Sequence, residues 1–532
     1  MASPTYAALD KAWKSTCRVL FGEEVGELAP FAQWLREYVY ATRPELSSIS
    51  GKPITITMDD YSPSARFVSL DEIDFQKKFE PLSINDIKDI DSLVDAAGER
   101  MAYTGNAVLG NSSHVEGSTG VLDSHYVLDS AMVSKSKYVA YSRWEAETEH
   151  CFGGIGSTFG SFMVKSSGSN LHRCFECHMT NDLSDCYFCA KTLNSRECIF
   201  CFGVENKSHC IGNMQLPKEK YAAIKKKLLS ETAQLLRKDK RIFSLLKIVE
   251  MSSKYPPNEL GISFKHEKPR PFTLKPIEES FAATSSLLLG KKLSMQECAG
   301  FLQKHVPENP ILKSCLSGND VTVGGYRANL LGMYDLKARM ATEAEVREIG
   351  KHGIGEENAE RLSIDPHALT ELLHPIAYFN LEKDTGKISN VAKSAVVIDA
   401  SDGYESSALI QSKKCAYCFW TLNDESIFGS YMTHNSSFGI NTYNSQRLTR
   451  AFECDSCENC SDAYFLHNCE NVRDSMFCFN AKNLKQAIGN AELAPEQYKK
   501  VKASLVLQMA DELEKKHDLP WDIFNIGAAH KK

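Results

Sequence analysis

The chain has 532 residues, 43% of them apolar and 24% charged, which is close to average soluble usage and enough to fill a sizeable core. Its formal net charge of -7, from 61 basic and 68 acidic side chains, disfavours a globally basic nucleic-acid binder. The absence of an apolar run of about 18 residues, or of an apolar leader after Met1, speaks against membrane insertion and classical secretion.

Residues 1–110 read as a mixed, partly helical segment, with an apolar helix candidate over Tyr6–Tyr40 that breaks at Glu27–Pro30. From there to residue 215 the text becomes periodic. Val115, Val121, Val127, Val133 and Val139 recur every six residues, and Ser118, Ser124, Ser130, Ser136 and Ser142 follow three positions later. A six-residue beat does not fit the 3.6-residue helix period, but it suits short strands joined by tight corners. Valine fits an inward strand site, and serine fits a corner where its hydroxyl takes backbone bonds. The expectation is a parallel β-solenoid of 12 or 18 residues per coil over residues 111–215.

Within that span Cys174/Cys177, Cys186/Cys189 and Cys198/Cys201 form three C-x-x-C pairs at a spacing of 12, with Cys210 at the next step. Residues 216–395 begin with an amphipathic capping helix carrying Tyr221, Ile224 and Leu228, and continue as a largely helical connector. Thr342 with Glu345 makes a capping-box pattern, and Asp365 before Pro366 starts a further helix. A second β-solenoid module is expected over 396–490, followed by a capping helix and tail over 491–532. Leu171–Cys189 aligns without a gap to Leu448–Leu466 at an offset of 277, and the same offset carries Tyr221 onto Tyr498. The fold class expected is therefore mixed α and β, with two parallel β-solenoid modules related by internal duplication.

Paired cysteines raise a metal reading: Cys174, Cys177, Cys186, Cys189, Cys198 and Cys201 could offer thiolates to zinc from neighbouring rungs, with His172 and His178 beside them. Residues three apart on a strand point to opposite faces, so one pair can chelate only if a corner lies between them. Across the offset, Cys174, Cys186, Cys189 and Cys198 become Ala451, Ala463, Leu466 and Ser475. Exchange with alanine and leucine is the behaviour of a small buried position, so packed thiols and no cofactor are expected, with zinc as the alternative. A carboxylate site would use Asp182, Asp185 and Glu197, whose counterparts are Asn459, Asp462 and Asp474.

The C-x-x-C pairs, then Cys201-Phe202-Gly203-x-x-Asn206-Lys207, then Asn213-x-x-Leu216-x-x-Glu219-x-Tyr221, resemble a cysteine-rich repeat group of uncharacterised bacterial and phage-encoded proteins. Members of that group often end in a further zinc-ribbon-like C-x-x-C piece, which Trp521–Lys532 does not contain. The resemblance implies no activity. The expected function is a non-enzymatic structural or assembly protein, using solenoid surfaces for self-association or protein partners, as a phage or virus particle component would. The alternatives are a module binding carbohydrate or another extended ligand, and a zinc-binding scaffold. A cytoplasmic or particle-bound location follows from the lack of a leader.

Overall fold

A computed structural model of the chain describes residues 3–40, 42–58, 60–83, 87–266, 268, 270–418, 421, 425–430 and 437–528. The last four residues of the Trp521–Lys532 tail lie outside this set. The helices that organise the fold are α1 (Pro4–Phe21), α2 (Ile90–Ala97), α3 (Lys218–Asp239), α4 (Leu245–Met251), α5 (Lys275–Leu289), α6 (Glu343–Ile349), α7 (Pro366–Leu373) and α8 (Pro495–Lys516). Among the described residues no helix is long and apolar enough to cross a membrane.

Between α2 and α3, and again between α7 and α8, the chain forms parallel strands whose register steps by 12 residues. Lys137 stands opposite Glu149, Val139 opposite Cys151, and Thr449 opposite Ser461. The backbone enters the left-handed region at every third residue: Tyr126, Asp129, Met132, Lys135 and Tyr138 have φ of 58°, 43°, 57°, 47° and 56°. Such a bend at a non-glycine residue costs about 1–2 kcal/mol. It is held by hydrogen bonds to the preceding rung: Asp129 N donates to Glu116 O, Lys135 N to Leu122 O and Tyr141 N to Leu128 O, at 2.8–3.0 Å.

The frequent corners correct the expected fold class. A strand such as Lys137–Ala140 keeps only Val139 and Ala140 extended after its corner at Tyr138, too few to build a pleated face. Instead, Gly168–His178 pairs with Thr180–Ser184 and with Tyr187–Ala190, and both of these pair with Leu193–Ile199. Those four strands close a small parallel barrel, and further sheets flank it. The architecture is a mixed α/β fold with this barrel and its flanking sheets, not a pair of β-solenoid modules. Among the described residues the long flat solenoid surfaces on which the assembly role and a virion component depended are therefore not present.

The aligned aromatics that an extended ligand would need are also taken. His114, Tyr126, Tyr138, His150 and Phe162 stack at centroid spacings of 4.6–5.1 Å. α1 packs against these strands, with Thr16 hydrogen-bonded to the His150 ring, so most of the row is covered by protein.

The two halves of the chain use the same devices. α1 and α5 both end in a left-handed glycine, Gly22 and Gly290, and both turn a Thr and a large apolar side chain inward: Trp13 and Thr16, Phe281 and Thr284. Antiparallel hairpins follow, Arg43–Leu46 with Pro53–Ile56 and Ile311–Lys313 with Asp320–Thr322. A capping box closes each next turn, at Ser69/Glu72 and Thr342/Glu345. The box glutamate accepts a bond of 2.5 Å from Ser47 in one half and Ser314 in the other. Asp89 and Asp365 then cap α2 and α7.

The two largest hydrophobic cores do not follow chain order. The first joins α1, the strands from Ala140 to Ile211, α3 and α4 to Val321–Leu381 of the second half. The other joins α5, the strands from Ala416 to Ile488, and α8 to Ile54–Tyr103 of the first half. Each half therefore lends the segment between its hairpin and its capped helix to the strands of the other half.

Candidate functional site

The interior of the strand region explains where the cysteines lie. Every third residue points inward, so Cys174, Cys177, Cys186, Cys189, Cys198 and Cys201 all sit in one apolar core with Val121, Val133 and Leu183. Within each pair a left-handed residue (Glu176, Phe188 or Phe200) supplies the corner that turns both thiols inward. Each thiol is a hydrogen-bond donor to backbone. Cys177 Sγ donates to Phe175 O at 3.5 Å and Cys186 O at 3.4 Å, and Cys189 Sγ to Tyr187 O at 3.4 Å and Cys198 O at 3.5 Å.

Serine and threonine do the same at equivalent inward sites. Ser124 Oγ donates to Leu122 O at 2.8 Å and Val133 O at 3.4 Å. The side chains are small donors that satisfy rung carbonyls. Burial pushes the Cys174 and Cys189 thiols well above their ordinary range, while against that burial hydrogen bonds from neighbouring thiols draw Cys177, Cys186 and Cys201 below theirs. Among the described residues no group of three or more His, Cys, Asp or Glu is arranged to hold a metal ion, which corrects the zinc-scaffold alternative.

The carboxylates singled out in the sequence are dispersed among partners. Arg173 holds Asp185 through two bonds of 2.6–2.7 Å, Asn170 donates to Asp182 at 2.7 Å, and His209 pairs with Glu197 at 2.7 Å. The two histidines beside the first cysteine pair part company. His172 is exposed and hydrogen-bonds with Ser161, whereas His178 is buried against Glu176 at 3.1 Å.

Glu176 belongs to a buried lock that sequence reading missed. It also accepts hydrogen bonds from Tyr38 and from Leu245 N, the latter at 3.1 Å, and Lys165 lies 4.0 Å away. Burial alone would raise its carboxyl, but Lys165 and His178 hold it down at about 2. Glu453 occupies the same corner of the other half, and Ile523 N donates to it at 2.8 Å. There burial and the nearby Asp522 charge push the carboxyl up to about 8. Both glutamates are fully buried, so these are clamps between elements and not open sites.

The open site lies where the second half's lent segment meets the strands of the first. A cleft of about 480 Å3 is lined by Lys268, Arg270, Lys313, Arg347, Glu343 and Asp384, among others. A second cavity of about 580 Å3 shares Arg347 and Asp384 with it and adds Lys383 and Asp182. α6 begins at Glu343 because Thr342 caps it, and this places the Glu343 carboxylate over the network. Lys191 Nζ lies 3.4 Å from Glu343 and donates to Glu382 O. Asp384 N donates to Glu343 at 2.8 Å, and Thr322 N donates to Glu382 at 2.8 Å.

Burial lowers the ammonium pKa values of Lys191 and Lys383 and raises the carboxyl pKa values of Glu382 and Asp384. Glu382 and Asp384 line the first cavity and Lys383 the second, while Lys191 is buried behind them. Arg270 is matched to Asp384 at 2.5 Å, Lys313 to Asp320, and Arg347 to Glu343 at 3.3 Å. Lys268 and Lys383 have no ion pair among the described residues, while Glu382, Asp182 and Glu205 add carboxylates to the lining, so the cleft as a whole is close to charge-balanced. Lys268 and Lys383 are the two cations that such a cleft offers an anionic ligand. The only sequence signals pointing here were the capping box at Thr342/Glu345 and the scattered basic residues after His266.

No protein-family profile, curated protein or solved structure matches this chain.

Proposed function

We propose that the chain is a binding protein for a small, multiply anionic ligand of the phosphate or carboxylate class, held in the cleft around Lys268, Arg270, Lys383 and Asp384. One observation carries this reading. A partly matching frame occurs at the opposite junction without these charges, although Asn106 there is left-handed at φ 50° and Glu382 here is not. Thr55 N donates to Asn106 at 2.9 Å there, as Thr322 N donates to Glu382 here. By the same correspondence Lys191, Glu343, Lys383 and Asp384 stand where the other junction has Asn468, Leu70, Ala107 and Val108. Burying ionised groups costs several kcal/mol each, and a frame that folds with neutral residues does not need them.

The test is calorimetric titration of the full chain with inorganic pyrophosphate at low and high salt. Binding is expected, weakening as salt screens it. Lys268→Ala should weaken it roughly tenfold to a hundredfold, the worth of one charged hydrogen bond. An absence of binding at millimolar pyrophosphate and low salt would overturn the reading. All eighteen cysteines are free, which supports a proposed cytoplasmic, reducing location. Protein partners or a homo-oligomer, the sequence-based expectation, stand as a further proposal.

A further inference from the structure

We infer that this single chain is built as an exchanged pair, two equivalent units each gripping an arm of the other, and that the two arm interfaces hold the units together without the connecting peptide. The arms are residues 43–106 of the first half and 310–382 of the second. Arm one packs Ile54, Phe67, Leu93, Val94 and Tyr103 into the core of the second half, and arm two packs Val321, Met340, Leu369, Leu373 and Phe379 into the core of the first.

One polar contact reaches the same helix position at both interfaces, and the rest differ. Ile90 N, at the start of α2, donates to Gln508 on α8 at 2.9 Å. Ile364 N, just before α7, donates to Glu231 on α3 at 2.8 Å, and Glu231 precedes Gln508 by the same 277 residues that relate the strands. Phe67 pairs in parallel with Tyr103 in arm one, as Met340 does with Phe379 in arm two. Arm one is further fixed by Tyr103, whose hydroxyl donates to Ile523 O at 2.8 Å and accepts from Gly527 N at 2.9 Å, and by Thr104 N, which donates to His467 at 2.9 Å. Arm two is fixed by Ile354 N to Gly212 O at 3.0 Å and Arg327 to Ile155 O at 2.9 Å.

Reciprocal exchange of one element between equivalent units is the geometry of a swapped dimer, here enclosed in one polypeptide. Of the described residues between Phe264, which packs against the first core, and Phe272, which packs against the second, none belongs to either core.

The test inserts a recognition site for a sequence-specific protease between Lys265 and His266 of the full chain, then cuts the folded protein. The cut protein is expected to keep the native mass of one intact chain down to nanomolar dilution. Separation of two fragments on cutting would overturn the inference. Tyr103→Ala combined with Phe379→Ala should leave the uncut chain at the mass of the unaltered protein and make the cut chain dissociate. Should that pair unfold the uncut chain, Glu231→Ala with Gln508→Ala loosens the same interfaces from their surface side. It is expected to raise dissociation of the cut halves roughly tenfold. Unchanged association of the cut chain in a folded variant would contradict an arm-based grip.

Discussion

The two arm junctions compare a neutral and a charged solution to one structural problem. At the junction of arm one, Asn106 and Asn468 supply amides, and Leu70, Ala107 and Val108 complete the frame. At the junction of arm two, Glu382 and Lys191 take the amide positions, with Glu343, Lys383 and Asp384 beside them. The frames match in part, since Asn106 is left-handed at φ 50° and Glu382 is not, and the difference in charge separates what the fold requires from what it carries in addition. An amide is satisfied by hydrogen bonds alone, whereas a buried ion must also recover its lost hydration. The charged junction is where the chain spends stability on something other than folding.

The comparison breaks most severely at the glycines that seat each half's turn after its first helix. A Cβ on Gly153 would lie 2.5 Å from Leu35 O, and one on Gly429 would lie 2.1 Å from Leu302 O, both at positive φ. Gly153→Ala and Gly429→Ala are each expected to cost about 2–4 kcal/mol, read as a shift of the urea midpoint. A large loss in one half with none in the other would mean that the halves are not held alike.

Next in size is pH. Glu453, raised to about 8, contributes stability that is complete below the ordinary glutamate value of 4.5 and lost as pH rises through about 8. His305, which its Asp522 and Asp60 bonds lift to about 9 against burial, acts in the same direction: its share is lost as pH rises through about 9. Glu176, held at about 2, does the opposite: its share is present above 4.5 and lost as pH falls toward 2. Amide exchange followed by mass spectrometry should show the second half opening first on the alkaline side and the first half on the acid side. Glu453→Gln should flatten the alkaline limb, and an unaltered limb would remove Glu453 as its cause.

The smallest effect concerns the thiols. Cys186→Ala installs the residue that the second half carries at Ala463, and should cost about 1 kcal/mol of lost packing and one weak hydrogen bond. Its melting temperature, like that of the parent, should not respond to a chelator. A fall of many degrees on chelation would restore a metal role to Cys174, Cys177, Cys186, Cys189, Cys198 and Cys201.

Much of this was legible in the sequence where one residue type recurs at a fixed step. The 12-residue spacing of the cysteines is the register of the strands, and the exchange of cysteine for alanine across the offset of 277 marked the inward row. The capping box at Thr342 and the Asp365 cap formed as their patterns require. What stayed hidden depends on geometry that residue identity does not encode. Left-handed corners fall on Tyr, Lys, Phe and Glu as well as on the Asn and Asp that favour positive φ, so residue type did not mark each corner and the closed barrel was not legible. The kinship of α1 with α5 rests on Trp13 and Phe281 facing the same way in helices of otherwise different text. The cleft draws Lys191 from one half and Glu343, Glu382 and Asp384 from the other, and only the arm exchange brings them together.

The most direct measurement rebuilds the charged junction as the neutral one. A variant carrying Lys191→Asn, Glu382→Asn and Lys383→Ala copies residues that the other half already folds with, and Lys268→Ala added to it removes the remaining unpaired cation while the Arg270–Asp384 and Arg347–Glu343 pairs stay intact. Calorimetry with inorganic pyrophosphate is expected to show binding to the parent chain and none to this variant, while its urea midpoint stays level or rises. Equal binding by both, or collapse of the variant's fold, would contradict the claim that these charges serve a ligand and not the frame.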